Sequence, residues 1–373
     1  MKRNKILFMV ILFSICCEKG KINNEYVDIF ESNNTILSIG ADEENTEAKA
    51  YQWILNYCID REGNIYVADP RELTVDKYDN QGKYLYSYGK KGQGPGEFSN
   101  QIESFAADSN GNFIAYTWQR NSLIIFYKDG KDIKEIKLSD EFRKTIIRTI
   151  KIDLNNNMYI LSYSKEKGYI LGKYDIEKAR YDVFHVDNKR IRPPFVDLLP
   201  DFDFDTSGNI YITDSIDYKI YKYSQTGRLL DFFYKKMEKN KIVENDFNYL
   251  VNNRIIKIPG YQNAWKKLKG LSGFFPNIFG INIDANRIYI WTSNQDKEKK
   301  YKIEIFDQKF NPICASSYYN YLPKNYAVIR NNKFHIVNIE NSDREIKKEI
   351  GRFGMFKSPY KIEVYNISER IIY

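Results

Sequence analysis

Few residues in this 373-residue sequence are of types that carry out chemistry. Only two histidines occur, His185 and His335, and the H-E-x-x-H, G-x-S-x-G and paired C-x-x-C motifs are absent. The sequence therefore gives no support to a zincin, an α/β-hydrolase or a zinc ribbon. His335 stands where four similar segments carry Tyr, which favours a packed strand residue over a metal ligand or a base. The sequence indicates no catalytic residue.

Three carboxylates in the stretch "PDFDFD" could bind a hard cation. Asp201, Asp203 and Asp205 alternate with phenylalanines, so a strand would carry all three on one face. Calcium takes oxygen ligands of this kind. The other interpretation places Asp205 in a repeated turn and Asp201 in the preceding corner, which leaves a single carboxylate and a poor site. We favour the second interpretation and predict no cofactor or metal, with these three residues as the candidates if calcium binds.

The glycine-rich stretch "YGKKGQGPGEF" (Tyr88–Phe98) could be a phosphate cradle or a structural corner. A dinucleotide loop that starts at Gly92 would need a third glycine where Glu97 stands. A P-loop would need its lysine after the glycines, and Pro95 prevents a helix through the segment. We therefore predict a corner between two elements.

A repeated segment must position all of these residues. Each copy reads as strand, tight turn and strand, because aspartate, asparagine and glycine precede a short apolar run. The copies recur about every fifty residues, with one longer gap before the fifth. They are "GNIYVAD" (63–69), "GNFIAYT" (111–117), "NNMYILS" (156–162), "GNIYITD" (208–214), "NRIYIWT" (286–292) and "NKFHIVN" (332–338).

A third and a fourth strand follow most copies, which makes each unit a four-stranded antiparallel sheet. Six such sheets cannot bury both faces alone, so we predict an all-β, six-bladed β-propeller; a solenoid of stacked hairpins is the alternative. The segment "ILSIG" (36–40) matches the fourth-strand sequence "LYSYG" (85–89), whereas the last unit stops at "RIIY". Residues 35–40 should therefore pair into the blade that contains Phe334 and Tyr365 and close the ring.

The repeats and the corner resemble those of the NHL-type six-bladed propellers, in particular bacterial surface lipoproteins with "D..GNIYV.D" repeats and "G..GQGPGEF" corners. The resemblance covers residues 35–373 and is sharpest from Asp60 to Asp108. It implies a propeller fold. Some similar propellers are lyases, related six-bladed folds include calcium-dependent lactonases, and some NHL domains bind RNA. The lyase resemblance implies histidine metal ligands near the central channel, for which this chain has only two histidines.

The N-terminus has the pattern of an export signal. Basic residues in the first five positions precede an apolar run at 6–15, which is too short to span a bilayer, and then Cys16 and Cys17. This resembles a bacterial lipoprotein signal with Cys17, or Cys16, as the lipidated residue; a plain cleavage site is the alternative. We predict a signal peptide at 1–17, a linker at 18–34 and a location in the cell envelope outside the cytoplasm. Cys58 and Cys314 should be buried thiols.

Loops between second and third strands gather on one face of a propeller and are the expected ligand surface. Their aromatic, arginine and carboxylate side chains suit binding, although ordinary solvated loops would look the same. An insertion at about 235–275, in the region of blades 4 and 5, carries an apolar pattern at helical spacing and predicts a small helical cap. The candidate ligand-binding residues are Asp69, Arg71, Trp118, Arg120, Asp214 and Asp217.

The net charge of +8 is spread over 57 basic and 49 acidic residues, which argues, with the export signal, against a nucleic-acid partner. We therefore predict an exported, lipid-anchored monomer that acts as a binding or scaffold module for a protein, peptide or glycan. The alternative is a metal-dependent lyase or lactonase-like enzyme with its site at the mouth of the central channel.

Overall fold

The computed structural model describes residues 35–40, 49, 51, 54, 56–100, 102, 104–128, 130–188, 200–214, 216–238, 277–295, 301–318, 327–338 and 361–367. Within these ranges the chain forms 24 strands and one short helix, α1 (Asp140–Arg143). The strands make six four-stranded sheets, and all strand pairs are antiparallel. The prediction of an all-β, six-bladed propeller is confirmed.

Each blade runs from an innermost first strand to an outermost fourth strand. Blade 1 comprises β2 (Tyr57–Ile59), β3 (Ile65–Asp69), β4 (Thr74–Tyr78) and β5 (Tyr84–Tyr88). Blade 2 comprises β6 (Phe105–Ala107), β7 (Phe113–Thr117), β8 (Ser122–Phe126) and β9 (Ile133–Lys137). Blade 3 comprises β10 (Thr145–Ile152), β11 (Met158–Ser164), β12 (Gly168–Asp175) and β13 (Arg180–Asp187). Blade 4 comprises β14 (Phe202–Phe204), β15 (Ile210–Thr213), β16 (Lys219–Tyr223) and β17 (Leu229–Tyr234). Blade 5 comprises β18 (Ile278–Asp284), β19 (Arg287–Gln295), β20 (Tyr301–Asp307) and β21 (Pro312–Tyr318). Blade 6 comprises β22 (Ala327–Arg330), β23 (Lys333–Asn338), β24 (Lys361–Asn366) and, as its fourth strand, β1 (Leu37–Ile39).

The ring is closed by the N-terminal strand, as the sequence predicted. β1 pairs with β24 in blade 6, with Leu37 opposite Val364 and Ile39 opposite Ile362. Ile39 is buried in a cluster with residues of blade 1, including Tyr57 and Ile65. One blade is therefore assembled from segments more than 300 residues apart in the chain, and blades 6 and 1 share a core.

The antiparallel order gives the ring two distinct faces. The turn face carries the hairpins between first and second strands and between third and fourth strands. The crossing face carries the loops between second and third strands and the connections from one blade to the next. Strand β1 starts at the turn face, because it runs antiparallel to β24, which ends there.

Aromatic side chains fill the space between blades 1 and 2. The ring centroid of Phe113 lies 4.8 Å from that of Tyr88 and 5.7 Å from that of Tyr66. Phe98 and Phe126 complete the cluster, and both are buried. Pairs at these distances add to the free energy of area burial, by about 0.5–1.5 kcal/mol each.

The glycine-rich stretch is the corner that leads from blade 1 to blade 2. Gly89 has φ +72°, and a Cβ there would lie 2.2 Å from the ring of Phe98, so this position requires glycine. Phe98 is 1% exposed and packs 5.9 Å from Phe126, centroid to centroid. Glu97 accepts a hydrogen bond from the backbone N–H of Gly94 (2.8 Å). The segment is thus a structural corner, as predicted.

Several predicted segments lie outside the described residues. They are the signal peptide (1–17), the linker (18–34) and most of the insertion (235–275), of which only the first four residues are described. No helix in the described ranges is long and apolar enough to cross a membrane.

Candidate functional site

The first strands of all six blades surround a central channel with a cavity volume of about 550 Å³. Among the described strands, each of these has a neighbour on only one side, so its other edge presents backbone groups to the channel. Buried backbone groups need partners. Side chains in the channel wall therefore have to supply hydrogen-bond partners for these backbone groups.

Polar side chains of one blade bind the open strand edge of the next. The Ser104 hydroxyl accepts a hydrogen bond from the N–H of Ile150 (2.8 Å). The Asp201 and Asp203 carboxylates accept hydrogen bonds from the N–H groups of Ile281 (3.0 Å) and Ile283 (2.8 Å). These contacts join blade 2 to blade 3 and blade 4 to blade 5. The two aspartates are accordingly structural clasps between blades.

Asp205, the third calcium candidate, belongs to a turn that recurs around the ring. In blades 1 to 4 the residue after the first strand is an aspartate. Its Oδ1 atom accepts hydrogen bonds from the backbone N–H groups of the residues two and four positions later, at 2.8–3.0 Å. This is the arrangement we favoured from the sequence. The four residues are Asp60, Asp108, Asp153 and Asp205.

Blade 6 departs from this rule, because Arg330 occupies the position of the turn aspartate. Its turn residues Asn331 and Asn332 have φ +55° and +56°, as in a type I′ hairpin. Their N–H groups donate to Asp284 of blade 5, at 2.9 and 2.6 Å. A carboxylate of the neighbouring blade thus caps this turn, and the Arg330 side chain is released to enter the channel.

Cationic side chains occupy the surroundings of the channel aspartates. Asp203 Oδ1 lies 3.5 Å from Arg330 Nη2 and 3.9 Å from Lys151 Nζ. Lys151 Nζ also lies 3.4 Å from Asp201 Oδ1, and it donates a hydrogen bond to the backbone carbonyl of Phe202. A carboxylate that already faces two protein cations, as Asp203 does, is a poor ligand for calcium. Among the described residues no group of three His, Cys, Asp or Glu side chains is arranged to hold a metal ion.

Neither histidine lines the channel cavity. His185 on β13 contacts the Tyr223 hydroxyl through Nδ1 (2.8 Å), and burial lowers its pKa to about 4. His335 on β23 lies at the level of Tyr66 in blade 1, and burial lowers its pKa to about 3. Both histidines are packed strand residues. Cys58 does line the cavity, as a free thiol whose pKa is raised by burial.

These two histidines make the stability pH-dependent. Their pKa values in the folded state lie below the value of about 6.5 expected in the unfolded chain, so the unfolded chain binds more protons as the pH falls. We expect the free energy of unfolding to decrease from about pH 6.5 towards about pH 4, by up to about 1.4 kcal/mol per pH unit for each histidine. Urea denaturation of the wild type and of His335→Gln at several pH values measures this. The variant should lose less stability over this range; equal slopes would contradict the prediction.

On the crossing face, two of the predicted ligand residues shape their own loops. Asp69 Oδ1 accepts hydrogen bonds from the N–H groups of Arg71 (2.9 Å) and Glu72 (3.2 Å), and Asp69 Oδ2 pairs with Lys49 (2.9 Å). Asp214 accepts the N–H groups of the residues two and three positions later, at 2.8 and 2.9 Å. Both aspartates are buried.

The other four candidates differ in their availability. Arg120 donates to the carbonyls of Gln93, Gly94 and Glu97 at 2.9–3.2 Å and so fixes the glycine-rich corner. Arg71 is exposed beside Glu72, and Asp217 is half-buried. The Trp118 side chain is 60% exposed, which is unusual for so large an apolar group. The structure thus does not bring the six candidates together into one site.

Trp118 lies at a cleft of about 330 Å³ between the corner and the β7–β8 loop. Sequence reasoning missed the polar residues of this cleft, Ser99, Asn100 and Gln119, although they directly follow the corner or Trp118 in the chain. The Ser99 hydroxyl donates to the Gln119 side-chain oxygen. The lining residues are Phe98, Ser99, Asn100, Tyr116, Thr117, Trp118 and Gln119.

The blade number, the antiparallel sheets and the shared blade at the ring closure define the class of this protein: an all-β six-bladed β-propeller. The sequence of residues 54–192, which span blades 1 to 3, matches the family DUF5128, described as a 6-bladed beta-propeller. No curated protein matches the sequence.

Solved structures share the fold at low identity. A candidate exported protein from Bacteroides fragilis is 13% identical, with a TM-score of 0.54, and the match covers 92% of this chain and 98% of that one. A member of the DUF4221 family from Bacteroides vulgatus is 10% identical, with a TM-score of 0.55, and the match covers 89% of this chain and 96% of that one. At such identities the likeness concerns the fold alone.

Proposed function

We propose that this protein is an exported, lipid-anchored propeller that acts as a binding module, and that the cleft beside Trp118 holds its ligand. Export and anchoring rest on the signal pattern that ends at Cys17, and one similar structure is described as a candidate exported protein. The observation that carries the proposal is the 60% exposed Trp118 side chain at the edge of a polar cleft. Of a protein, a peptide and a glycan, the cleft fits a glycan best.

The chemistry of the cleft favours a neutral sugar. The lining residues that the structure describes are all uncharged, so they offer no ion pair to an acidic or basic peptide. An exposed indole ring provides a flat apolar surface, on which the C–H face of a sugar can stack. The side-chain amides of Asn100 and Gln119 and the Ser99 hydroxyl can donate to and accept from sugar hydroxyls.

The cleft is held in shape before a ligand arrives. One wall is formed by Ser99 and Asn100, which directly follow Phe98 in the chain, and Phe98 is buried in the core between blades 1 and 2. The other wall is formed by Trp118 and Gln119, which directly precede Arg120 in the chain. Arg120 donates hydrogen bonds to three backbone carbonyls of the corner and so fixes its position. A preformed site loses less conformational entropy on binding, which favours affinity from a small contact area.

A lipid on Cys17 would orient this site. Strand β1 enters blade 6 at the turn face, and the seventeen residues between Cys17 and Thr35 can span at most about 60 Å. The tether would therefore leave the ring on its turn face. If the membrane lies on this side of the ring, the crossing face with the Trp118 cleft is open to ligands from outside.

Replacing Trp118 with alanine is expected to weaken glycan binding at least tenfold, because the stacking surface is lost. A glycan array with the purified protein identifies a bound oligosaccharide, and isothermal titration calorimetry compares the variants. Tyr234→Ala removes an aromatic residue of similar exposure (55%) from outer strand β17 and should leave the affinity unchanged.

The array and the control decide the proposal together. Equal binding by Trp118→Ala and the wild type would place the site elsewhere. Absence of any glycan hit would reject a sugar ligand at this cleft.

A further inference from the structure

Arg148 occupies an unusual position in the wall of the central channel. It is the extra residue of a β-bulge in β10, since Ile147 pairs with Ser162 and Thr149 with Leu161. A bulge redirects a side chain. β18 has a bulge at the corresponding level, but its extra residue is the buried Phe279, which does not line the cavity. Of these two bulges, that of blade 3 brings a charge to the cavity and that of blade 5 does not.

No described residue forms an ion pair with the Arg148 side chain. Its Nε atom is buried and makes no hydrogen bond in the described part of the chain. A guanidinium group stays protonated, and a charge that is partly removed from water is stable when it is paired. The nearby cations do not share this situation, because Lys151 and Arg330 both contact Asp203.

The charges of the channel are separated along its axis. Lys151 and Arg330 lie close to the Asp203 carboxylate, and Lys151 also lies close to Asp201, whereas Arg148 makes no ion pair with a described residue. The remaining aspartates of the lining lie at the turn face, where backbone N–H groups occupy their oxygens. Arg148 precedes the turn residue Asp153 by five positions, about 15 Å of strand.

We propose that the central channel binds a small organic acid whose carboxylate pairs with Arg148. A cavity of about 550 Å³ is within the range of small-molecule sites and accommodates a molecule of monosaccharide size. The uncharged polar side chain of Asn56 lines the same cavity and can contact hydroxyl groups. This site is separate from the Trp118 cleft and does not depend on a ligand there.

Glucuronate and glucose make a matched pair of probes, because they differ only in the carboxylate at C6. The purified protein is titrated with each sodium salt or sugar at constant ionic strength, and binding is followed by calorimetry and by the shift of Tm. We expect saturable binding of glucuronate, with a rise in Tm, and none of glucose. Acetate is tested in parallel, to show whether the carboxylate alone suffices.

Three variants assign the site. Arg148→Gln should lower the affinity for glucuronate at least tenfold, and Arg148→Lys should retain part of it. Arg61→Gln removes an exposed arginine from the turn-face end of the same cavity and should bind like the wild type. Because Arg148 Nε has no hydrogen-bond partner among the described residues, Arg148→Gln should keep the Tm of the wild type without ligand.

Each adverse result overturns the proposal. Absence of binding by every acid at millimolar concentration would leave the channel without the proposed ligand. Equal affinities of the wild type and Arg148→Gln would remove Arg148 from the site. A markedly lower Tm of ligand-free Arg148→Gln would show that the residue has a structural role instead.

Discussion

Replacing Ile39 with aspartate is expected to lower the free energy of unfolding by at least about 4 kcal/mol, because an unpaired carboxylate would be buried in an apolar cluster. Ile39 is 1% exposed and packs with residues of blades 6 and 1. It lies on β1, the strand that completes the ring. The substitution therefore weakens the joint between the two ends of the chain. Urea denaturation followed by circular dichroism measures the loss.

Ser38→Asp is the matched control for this substitution. Ser38 is the preceding residue of the same strand, and its side chain is exposed, because successive side chains of a strand point to opposite faces. The same charge placed there should cost less than about 0.5 kcal/mol. If both variants lose similar stability, the effect arises from charge in this region and not from opening of the ring.

Replacing Phe98 with alanine should destabilise the protein by about 3–5 kcal/mol, the range for removing a fully buried phenylalanine. Phe98 fills the space between blades 1 and 2 and contacts Gly89. The corner therefore has little freedom to move into the space that the missing ring would leave. Denaturation midpoints of the wild type and the variant give the difference in stability. The Trp118 cleft should also lose its shape, since Phe98 is part of its lining.

Phe232→Ala provides the comparison, because this phenylalanine on outer strand β17 is 48% exposed. We expect a loss of less than about 1 kcal/mol there. A loss at Phe98 as small as that at Phe232 would mean that the corner is held by its hydrogen bonds, above all those from Arg120, and not by its aromatic residue.

The fold could be predicted from the sequence because its signals are local and repeated. The Asp–Gly–Asn turns and the short apolar runs that follow them mark the first two strands of most blades, and each was visible within about ten residues. The ring closure could also be predicted, since residues 36–40 match a fourth strand that has no blade before it.

The site was harder to predict, because its contacts join residues far apart in the sequence. Asp203 and Ile283 are eighty positions apart, and nothing near "PDFDFD" indicates that its carboxylates hold the next blade. A loop carboxylate such as Asp69 has the same sequence pattern whether it binds a ligand or caps its own loop. The bulge that turns Arg148 into the channel has no sequence signature of its own.

The cap that Asp284 provides for the turn of blade 6 has a consequence for how such a ring can change. Most blades terminate their own first hairpin and could be duplicated or lost as independent modules. At the joint between blades 5 and 6, the turn of blade 6 depends on a carboxylate of blade 5. An extra module inserted there would leave the backbone N–H groups of Asn331 and Asn332 without their acceptor, so growth or shrinkage of the ring at this joint would destabilise the turn of blade 6.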